Sequence, residues 1–296
     1  MKWHVFMYPV EVNNIHEDCI SIKLYLKDVN WIELTAIYSF YILSVDGKKK
    51  HSNVSGIKRF NKGNTICFIE EFLKQDLLRD SDNELLPNGN LILGCEIFYY
   101  FGAINTVELL TNNNTNESLH LLSDDIAGLL ESSKFSGCVI KVGNSKINVH
   151  KCILASRSQV FDSILTRKQC ESNPYIIEID CFRFDVVYEM IYYLYTGKSP
   201  NMDEMACKML EIGEICKLKQ LKLMAEESLI HSLSIENACN YLVCSELYSS
   251  EILKDWCLRF IYLNAENIVN KEEWKKVVSD YPLLIAKIFN IAVNID

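Results

Sequence analysis

The segment VHKCILASRSQVF, from Val149 to Phe161, is the most informative part of the sequence for predicting the fold. Just before it, the turn pair Gly143-Asn144 separates two short runs rich in β-branched residues, Cys138 to Val142 and Ser145 to Val149. This spacing predicts an antiparallel hairpin, because Gly-Asn pairs favour two-residue turns. Ser158 is the expected N-cap of a helix that contains Phe161. The segment therefore predicts a hairpin that leads directly into helices.

Helical patterns also surround this segment on both sides. An apolar stripe begins at Phe184 and is expected to end at Thr196-Gly197, where glycine can terminate a helix. The rest of the C-terminal region is helix-periodic. Upstream, Ser123 is the expected N-cap of another helix, whose apolar face contains Ile126 and Leu129. The second part of the chain is thus predicted to be mainly helical.

The first hundred residues follow a different pattern. Apolar residues alternate with others from Ile20 to Leu26, which is the period of a half-buried strand. Leu34 to Leu43 and Asn90 to Phe101 are rich in β-branched and aromatic residues, and Pro87-Asn88-Gly89 is a turn signal. Residues 111–118, TNNNTNES, offer no apolar side chain to bury and are expected to form a linker. The pattern predicts antiparallel β structure before that linker.

Composition narrows the possible partners. The chain has 296 residues, with 49% hydrophobic and 23% charged residues, which is typical of a globular protein with more than one core. A net charge of −9 gives no attraction to phosphate backbones or anionic bilayers, so neither nucleic acid nor membrane is an expected partner. The twelve cysteines include no C-x-x-C pair, and no metal site or cofactor is expected. We interpret them as reduced, mostly buried thiols.

No catalytic motif is found in the sequence, and no catalytic residue is assigned. His150 follows a predicted strand, and a hydrogen-bonded structural role is favoured over catalysis. Cys152 begins an apolar run and is expected to pack in the core. An enzyme with a Cys-His site formed by these two residues is an alternative, which ranks below a binding protein.

Two segments carry a resemblance to a known family. The stretch VHKCILASRSQVF and the stretch YEMIYYLYTGKSPN, Tyr188 to Asn201, resemble BTB/POZ domains. Upstream, Phe72, Asp76-Leu77-Leu78 and Leu85-Leu86-Pro87 resemble the last part of a MATH domain. The chain therefore resembles the MATH-BTB/POZ family, typified by the speckle-type POZ protein.

The resemblance implies a multi-domain α and β architecture. Residues 1–110 are expected to form an antiparallel β-sandwich, a partial MATH/TRAF-like domain that is incomplete at its N-terminus. Either the chain is a truncated product or another segment covers the exposed sheet edges. Residues 111–118 form the linker, 119–230 an α+β BTB/POZ domain, and 231–296 a helical BACK-like extension.

The resemblance also implies a function. Members recruit clients to a cullin-3 RING ubiquitin ligase: MATH binds the client, BTB dimerises and binds cullin-3, and the client is ubiquitinated and degraded by the proteasome. We accordingly expect a homodimeric, non-enzymatic adaptor in the nucleus, the cytoplasm or both, since neither a secretory leader nor a basic nuclear-localisation tail is evident. The alternative is a BTB homodimeric scaffold that no longer binds cullin.

Family positions map onto three sets of residues. The dimer interface corresponds to Leu122, Ile126, Leu129 and Ile153, which would equally suit the core of one subunit. The cullin-binding loop corresponds to Gln169, Cys170 and Glu171, with Gln169 at a position that is apolar in the family. The client groove corresponds to Lys23, Tyr38, Lys58, Ile66 and Phe68. Lysines at aromatic positions predict clients with different side chains from the family's Ser/Thr-rich motif, such as acidic ones. A solvated strand residue is an equally good interpretation of Lys23.

Overall fold

The computed structural model describes residues 2–9, 18–27, 33–79, 84–101, 113–167 and 175–293. They divide into two compact units. The first comprises the described residues within Met1–Ile104, Leu233–Ala238 and Leu258–Asp296, and the second those within Asn105–Ser232 and Cys239–Cys257. The expected domain boundaries at 110, 118 and 230 stay predictions.

Two sheets form the β region of the first unit. One antiparallel sheet has the order β1-β2-β6, with β1 at Lys2–Tyr8, β2 at Cys19–Lys27 and β6 at Ile66–Lys74. In the other, β3 (Leu34–Leu43) pairs with β7 (Leu93–Phe101), β4 (Lys49–Val54) and β5 (Lys58–Phe60). A short helix α1 (Gln75–Arg79) follows β6, and a 3-10 turn at Pro87–Gly89 precedes β7. The strands expected from Leu34 to Leu43 and near Asn90 to Phe101 are confirmed.

The inner faces of the two sheets share one apolar core. On β2, Ile20, Ile22, Leu24 and Leu26 are all buried in it, whereas Lys23 and Tyr25 on the opposite face are only half-buried. The predicted alternation is therefore confirmed. From the other sheet, Tyr38, Phe40 and Phe60 enter the same core. Burial of such side chains is the main stabilising contribution, at about 1.5–3 kcal/mol each.

The first unit also contains helices from the end of the chain. The last part of α9 (Glu251–Leu263) belongs to it, followed by α10 (Ala265–Ile268), α11 (Glu272–Asp280) and α12 (Pro282–Ala292). Within this unit the Arg259 guanidinium lies 4.4 Å from the centroid of the Phe98 ring, so a cation–π contact joins α9 to β7.

The second unit is an α+β assembly around a three-stranded sheet. The hairpin of β8 (Cys138–Val142) and β9 (Ser145–Val149) is joined by β10 (Tyr175–Glu178), which runs parallel to β8. The helices are α2 (Asn113–Ser132), α3 (Lys151–Arg157), α4 (Gln159–Arg167), α5 (Phe184–Thr196), α6 (Met202–Ile215), α7 (Lys219–His231), α8 (Ala238–Leu247) and the first part of α9. Helix α5 is the central core element, with Val187, Met190, Ile191 and Leu194 buried.

Several strands and helices begin or end at turn and cap residues that the sequence indicates. The predicted hairpin occurs with its predicted bounds. Helix α5 ends at Thr196 because Gly197 adopts a left-handed conformation, with φ of 72°, and its N–H donates to the Tyr193 carbonyl at 2.8 Å. Ser158 accepts a hydrogen bond from the Phe161 N–H at 3.3 Å, as expected of an N-cap.

The N-terminal helix of the second unit differs from the prediction. Ser123 does not cap it, because α2 already begins at Asn113, and the Ser123 hydroxyl instead donates to the Thr196 carbonyl at 3.2 Å. Most of the expected linker, 111–118, is therefore helical. A helix that is packed along its C-terminal part can continue upstream through polar residues. Each added residue gains a backbone hydrogen bond without a new nucleation step.

Candidate protein-interaction surfaces

Near the start of the segment from Val149 to Phe161, the buried His150 makes hydrogen bonds through its backbone and through both ring nitrogens. His150 is 7% exposed, and its Nε2 lies 2.7 Å from the Lys134 carbonyl oxygen. Because a carbonyl only accepts, Nε2 carries the proton, and in the neutral ring Nδ1 accepts from the Tyr195 hydroxyl at 2.7 Å. The same hydroxyl accepts the His150 backbone N–H at 2.8 Å. Burial raises the pKa of Tyr195 to about 12, so the phenol stays protonated at neutral pH.

This geometry bears on the Cys-His enzyme alternative. Both ring nitrogens of His150 are occupied by Tyr195 and Lys134, as the structural interpretation predicts. The expectation for Cys152 was wrong, because the residue is exposed rather than packed in the core. In helix α3 the buried position is Leu154, at 0% exposure, and Cys152 lies on another side of the helix. The histidine therefore supports the fold.

The four candidate dimer residues lie partly open to solvent. Leu122 on α2 is 57% exposed, and its neighbour Leu121 is 62% exposed. Ile126 and Ile153 line one open depression of about 320 Å³, beside the end of α5. Leu129 is half-buried on the same helix as Ile126. An apolar helix stripe that remains accessible in this way can receive another protein surface.

Three of the five candidate client residues share the outer face of the β1-β2-β6 sheet. Lys23 on β2 lies directly opposite Phe68 on β6, and Ile66 lies opposite Tyr25, the next outward residue of β2. Ile66 and Phe68 are 43% and 45% exposed. The cross-strand register thus brings one ammonium group and two apolar side chains together on a single surface.

The other two candidates are placed elsewhere. Tyr38 points into the core between the sheets, at 2% exposure, where its hydroxyl hydrogen-bonds the Cys67 thiol and burial raises its pKa. A ring in that position does not present itself to a peptide on the outer face. Lys58 is exposed on β5, in the other sheet. The set of five therefore does not form one surface in this chain.

Strand β1 adds residues that the sequence interpretation missed. Phe6 pairs with Lys23, His4 with Tyr25, and Tyr8 with Ser21, so all three β1 side chains extend the outer face. The ring centroids of Tyr8 and Phe68 are 6.4 Å apart, and Phe6 is 45% exposed. Aromatic residues and Val5 within Lys2–Tyr8 were the available signal for a strand, but the surface that each side chain joins depends on the pairing with β2. We name this surface, formed by His4, Phe6, Tyr8, Lys23, Tyr25, Ile66 and Phe68, the aromatic face.

The candidate cullin loop, Gln169, Cys170 and Glu171, lies outside the described residues. Within the described ranges, no group of three His, Cys, Asp or Glu side chains is arranged to hold a metal ion. Nor does any described helix combine the length and apolar composition that crossing a bilayer requires.

Comparison with known proteins identifies a BTB/POZ domain in this chain. The BTB/POZ domain family matches residues 126–233, which include His150, Tyr195 and the depression beside α5. TD and POZ domain-containing protein 1 of Mus musculus is 31% identical over 291 residues, covering 98% of this chain and 80% of the relative. The solved BTB domain of zebrafish PATZ1 is 18% identical, with a TM-score of 0.32, and covers 40% of this chain and 93% of that domain.

The match has direct consequences for function. BTB/POZ domains mediate dimerisation and the binding of protein partners, so the second unit is a protein-interaction module. The alignment with the mouse relative spans both the N-terminal β region and the BTB/POZ region of this chain, because it covers 98% of the chain. With an identity of 31% over four fifths of that relative, the chain belongs to the family of TD and POZ domain-containing proteins.

Proposed function

We propose that this chain is a substrate-recruiting adaptor of a cullin-3 RING ubiquitin ligase. The N-terminal β region, in the role of a MATH domain, holds a client, while the BTB/POZ domain dimerises and binds cullin-3. Clients held in this way are ubiquitinated and degraded by the proteasome. The observation that carries the proposal is that one chain combines a BTB/POZ domain with a separate aromatic face on its β region. No catalytic residue is needed, because the adaptor acts by raising effective concentration.

The aromatic face supports the client-binding role. Exposed Phe6 and Phe68 flank Lys23 across three strands, an arrangement in which extended peptides find apolar contacts and a cation. Lys23 has an acidic side chain neither opposite it on β1 nor opposite it on β6. We therefore expect client motifs that place an acidic residue between apolar ones.

The α2 stripe supports dimerisation. Leu122, Ile126, Leu129 and Ile153 are the proposed seam, and Leu122 is more than half exposed in the single chain. Burying one such leucine against a second copy contributes about 1.5–3 kcal/mol. Two-fold symmetry doubles each contact, because the same residues are provided by both subunits.

The Gln169–Glu171 loop is the proposed cullin contact, on sequence grounds alone. A Gln at an apolar anchor position costs part of the burial energy, because its amide must lose water or find new partners. This residue also motivates the second candidate function, a BTB homodimeric scaffold that no longer binds cullin. The two candidates share the dimer and the client face, and they differ only in cullin binding.

A crosslinking and mass-spectrometry survey of partners in cells tests the proposal. The wild-type chain should crosslink to cullin-3 and to a set of clients. Lys23→Glu combined with Phe68→Ser should lose the clients and retain cullin-3, whereas Lys27→Glu, an exposed change at the end of the same strand, should lose neither. Clients without cullin-3 in the wild-type survey would favour the scaffold, and an unchanged client set in the double variant would exclude the aromatic face.

A further inference from the structure

Strand β1 lies at an open edge of the β1-β2-β6 sheet. Within the part of the chain that the structure describes, its only backbone partner is β2, and the residues from Lys2 to Tyr8 pair with it in one continuous register. In a strand that is bonded on one side, the N–H and C=O groups of alternate residues point away from the partner. With respect to the described residues, the outer side of β1 is therefore a row of backbone groups to which a further strand can bind.

The side chains of β1 are left open on both faces of the sheet. Trp3 lies on the core side, where its ring meets Phe60 edge-on with the ring centroids 5.1 Å apart. Val5 and Met7 follow on the same side by alternation, yet they are 40% and 45% exposed. On the opposite side, Phe6 is 45% exposed. A neighbouring strand on the outer side of β1 would cover all three apolar side chains.

β1 also lacks the features that protect edge strands from pairing. Such strands usually carry several charges, a proline or a bulge. Within β1, KWHVFMY, Lys2 is the only Lys, Arg, Asp or Glu, there is no proline, and the register with β2 has no shift. By contrast β6, at the other edge of this sheet, carries Glu70, Glu71 and Lys74. Of these two edges, β1 is thus the one on which a further strand meets less opposition.

We propose that β1 pairs with β1 of a second copy of this chain, antiparallel and about a two-fold axis at Val5. An isologous contact of two identical edge strands has to be antiparallel. The register follows from the strand itself, because centring the pair on the middle residue, Val5, aligns all seven residues of both copies.

The sequence of β1 is complementary to itself in this register. Each exposed apolar side chain gains a cross-strand neighbour, which is the unit of stabilisation between strands. Met7 meets a tryptophan ring, Phe6 meets an imidazole ring, and the Lys2 ammonium meets the Tyr8 ring, so that no like charges are opposed. The cross-strand pairs are Val5 with Val5, Trp3 with Met7, His4 with Phe6, and Lys2 with Tyr8.

This pairing would join the client surfaces of two copies. A two-fold axis perpendicular to the sheet keeps the same face of both copies on one side. The result is one six-stranded sheet with the order β6-β2-β1-β1-β2-β6 and one continuous aromatic face, on which a client with two motifs can contact both copies. The contact goes beyond the dimer seam proposed on α2, which belongs to the other unit.

Disulfide trapping in the full chain tests the pairing. An edge of seven residues is small compared with standard interfaces, so a covalent trap is more sensitive than light scattering. In Val5→Cys the two introduced thiols lie directly opposite each other, and the Cα separation of cross-strand neighbours, about 4.5–5.5 Å, is within the range of disulfides. After mild oxidation with copper phenanthroline, peptides are mapped by mass spectrometry without reduction. We expect a peptide linked through position 5 of two chains.

Two controls distinguish specific pairing from collision. Val45→Cys places a thiol at a turn position that is 60% exposed, more than Val5, and its self-linked peptide should be roughly tenfold or more rarer. Met7→Cys tests the register, because the two copies of this position lie four residues apart, about 14 Å, which is too far for a disulfide. Links at position 5 that are no more frequent than the self-links of both controls would overturn the proposal.

A mixture of two further variants gives an independent reading if Val5→Cys fails to fold. His4→Cys chains mixed with Phe6→Cys chains should form a link between position 4 of one copy and position 6 of the other, since these positions face each other in the proposed register. Absence of this link, although both variants keep the melting temperature of the wild type, would also overturn the pairing.

Discussion

The Tyr195 hydroxyl makes two hydrogen bonds to His150, one to the backbone and one to the ring. It accepts the His150 N–H and donates to Nδ1, while Nε2 is occupied by the Lys134 carbonyl. Replacing Tyr195 by Phe would leave a buried N–H and a ring nitrogen without a partner. Each unsatisfied buried group costs about 1–3 kcal/mol. The hydrogen bonds between His150 and Tyr195 therefore connect the end of β9 with the end of α5, where the chain changes from strand to helix.

We predict that Tyr195→Phe lowers the free energy of unfolding of the second unit by about 2 kcal/mol or more, because two buried groups lose their partner. Urea unfolding followed by circular dichroism measures the change. Tyr192→Phe is the matched control, because Tyr192 is a half-buried residue of the same helix, and it should change stability by less than about 0.5 kcal/mol. Equal stability of the wild type and Tyr195→Phe would show that solvent satisfies these groups.

A glycine on β7 illustrates close packing between strands. Gly94 lies opposite Tyr41 on β3, and a Cβ added at Gly94 would sit only 2.2 Å from the Tyr41 ring. The ring covers the glycine backbone and carries the Lys49 ammonium 4.5 Å from its centroid. Gly94→Ala must displace the ring and break this cation–π contact.

We therefore expect Gly94→Ala to destabilise the first unit by about 1–3 kcal/mol, a typical overpacking cost. Thermal unfolding of the full chain gives the measurement. Gly56→Ala provides the control, since an added Cβ there meets nothing within 4 Å. A Gly94→Ala variant with unchanged unfolding would mean that the Tyr41 ring moves aside freely.

Helix α2 carries the prediction about assembly. Ile126→Asp together with Leu129→Asp places two carboxylates in the proposed seam, and burying an unpaired charge is strongly unfavourable. Light scattering should report a monomer for this variant and a dimer for the wild type.

Leu121→Asp is the control on the same helix, because Leu121 is 62% exposed and lies about 100° around the helix from Leu122. It should remain a dimer. A dimeric double variant would exclude this seam, whereas a monomeric control would mean that the interface covers the other side of the helix as well.

The elements that could be predicted from the sequence are those determined by residues within the element or directly next to it. Alternation defined β2, the Gly143-Asn144 turn defined the hairpin, and Gly197 defined the end of α5. The Ser123 cap failed because the helix continues upstream, where sequence offers polar residues but no stop signal. Cys152 was misplaced because a continuous apolar run does not show which side of a short helix faces the core.

Among the candidate site residues, too, some could be identified from the sequence and others only from the tertiary structure. Lys23, Ile66 and Phe68 were found through the family resemblance, and the register brings them together. Phe6 and Tyr8 were missed because strand pairing is a long-range property, which only the tertiary structure determines. Tyr38 was assigned to the groove, yet its alternation places it in the core with Phe40.

At the scale of the whole molecule, the proposed adaptor has separate sites for client, second copy and cullin-3. The proposed client and dimer sites each include exposed apolar side chains on described elements. The third depends on Gln169 and Glu171, whose role is argued from sequence. Cullin binding is therefore the claim that distinguishes a ligase adaptor from a scaffold.

Calorimetry of the full chain against the cullin-3 N-terminal domain tests that claim most directly. We expect measurable binding by the wild type and tighter binding by Gln169→Met, by about 1 kcal/mol or roughly fivefold in Kd, because an apolar anchor is restored. Glu171→Ala should bind more weakly than either, because a polar contact is removed. Equal affinities for all three proteins would contradict the role of the loop, and absence of binding by all three would contradict the adaptor account itself.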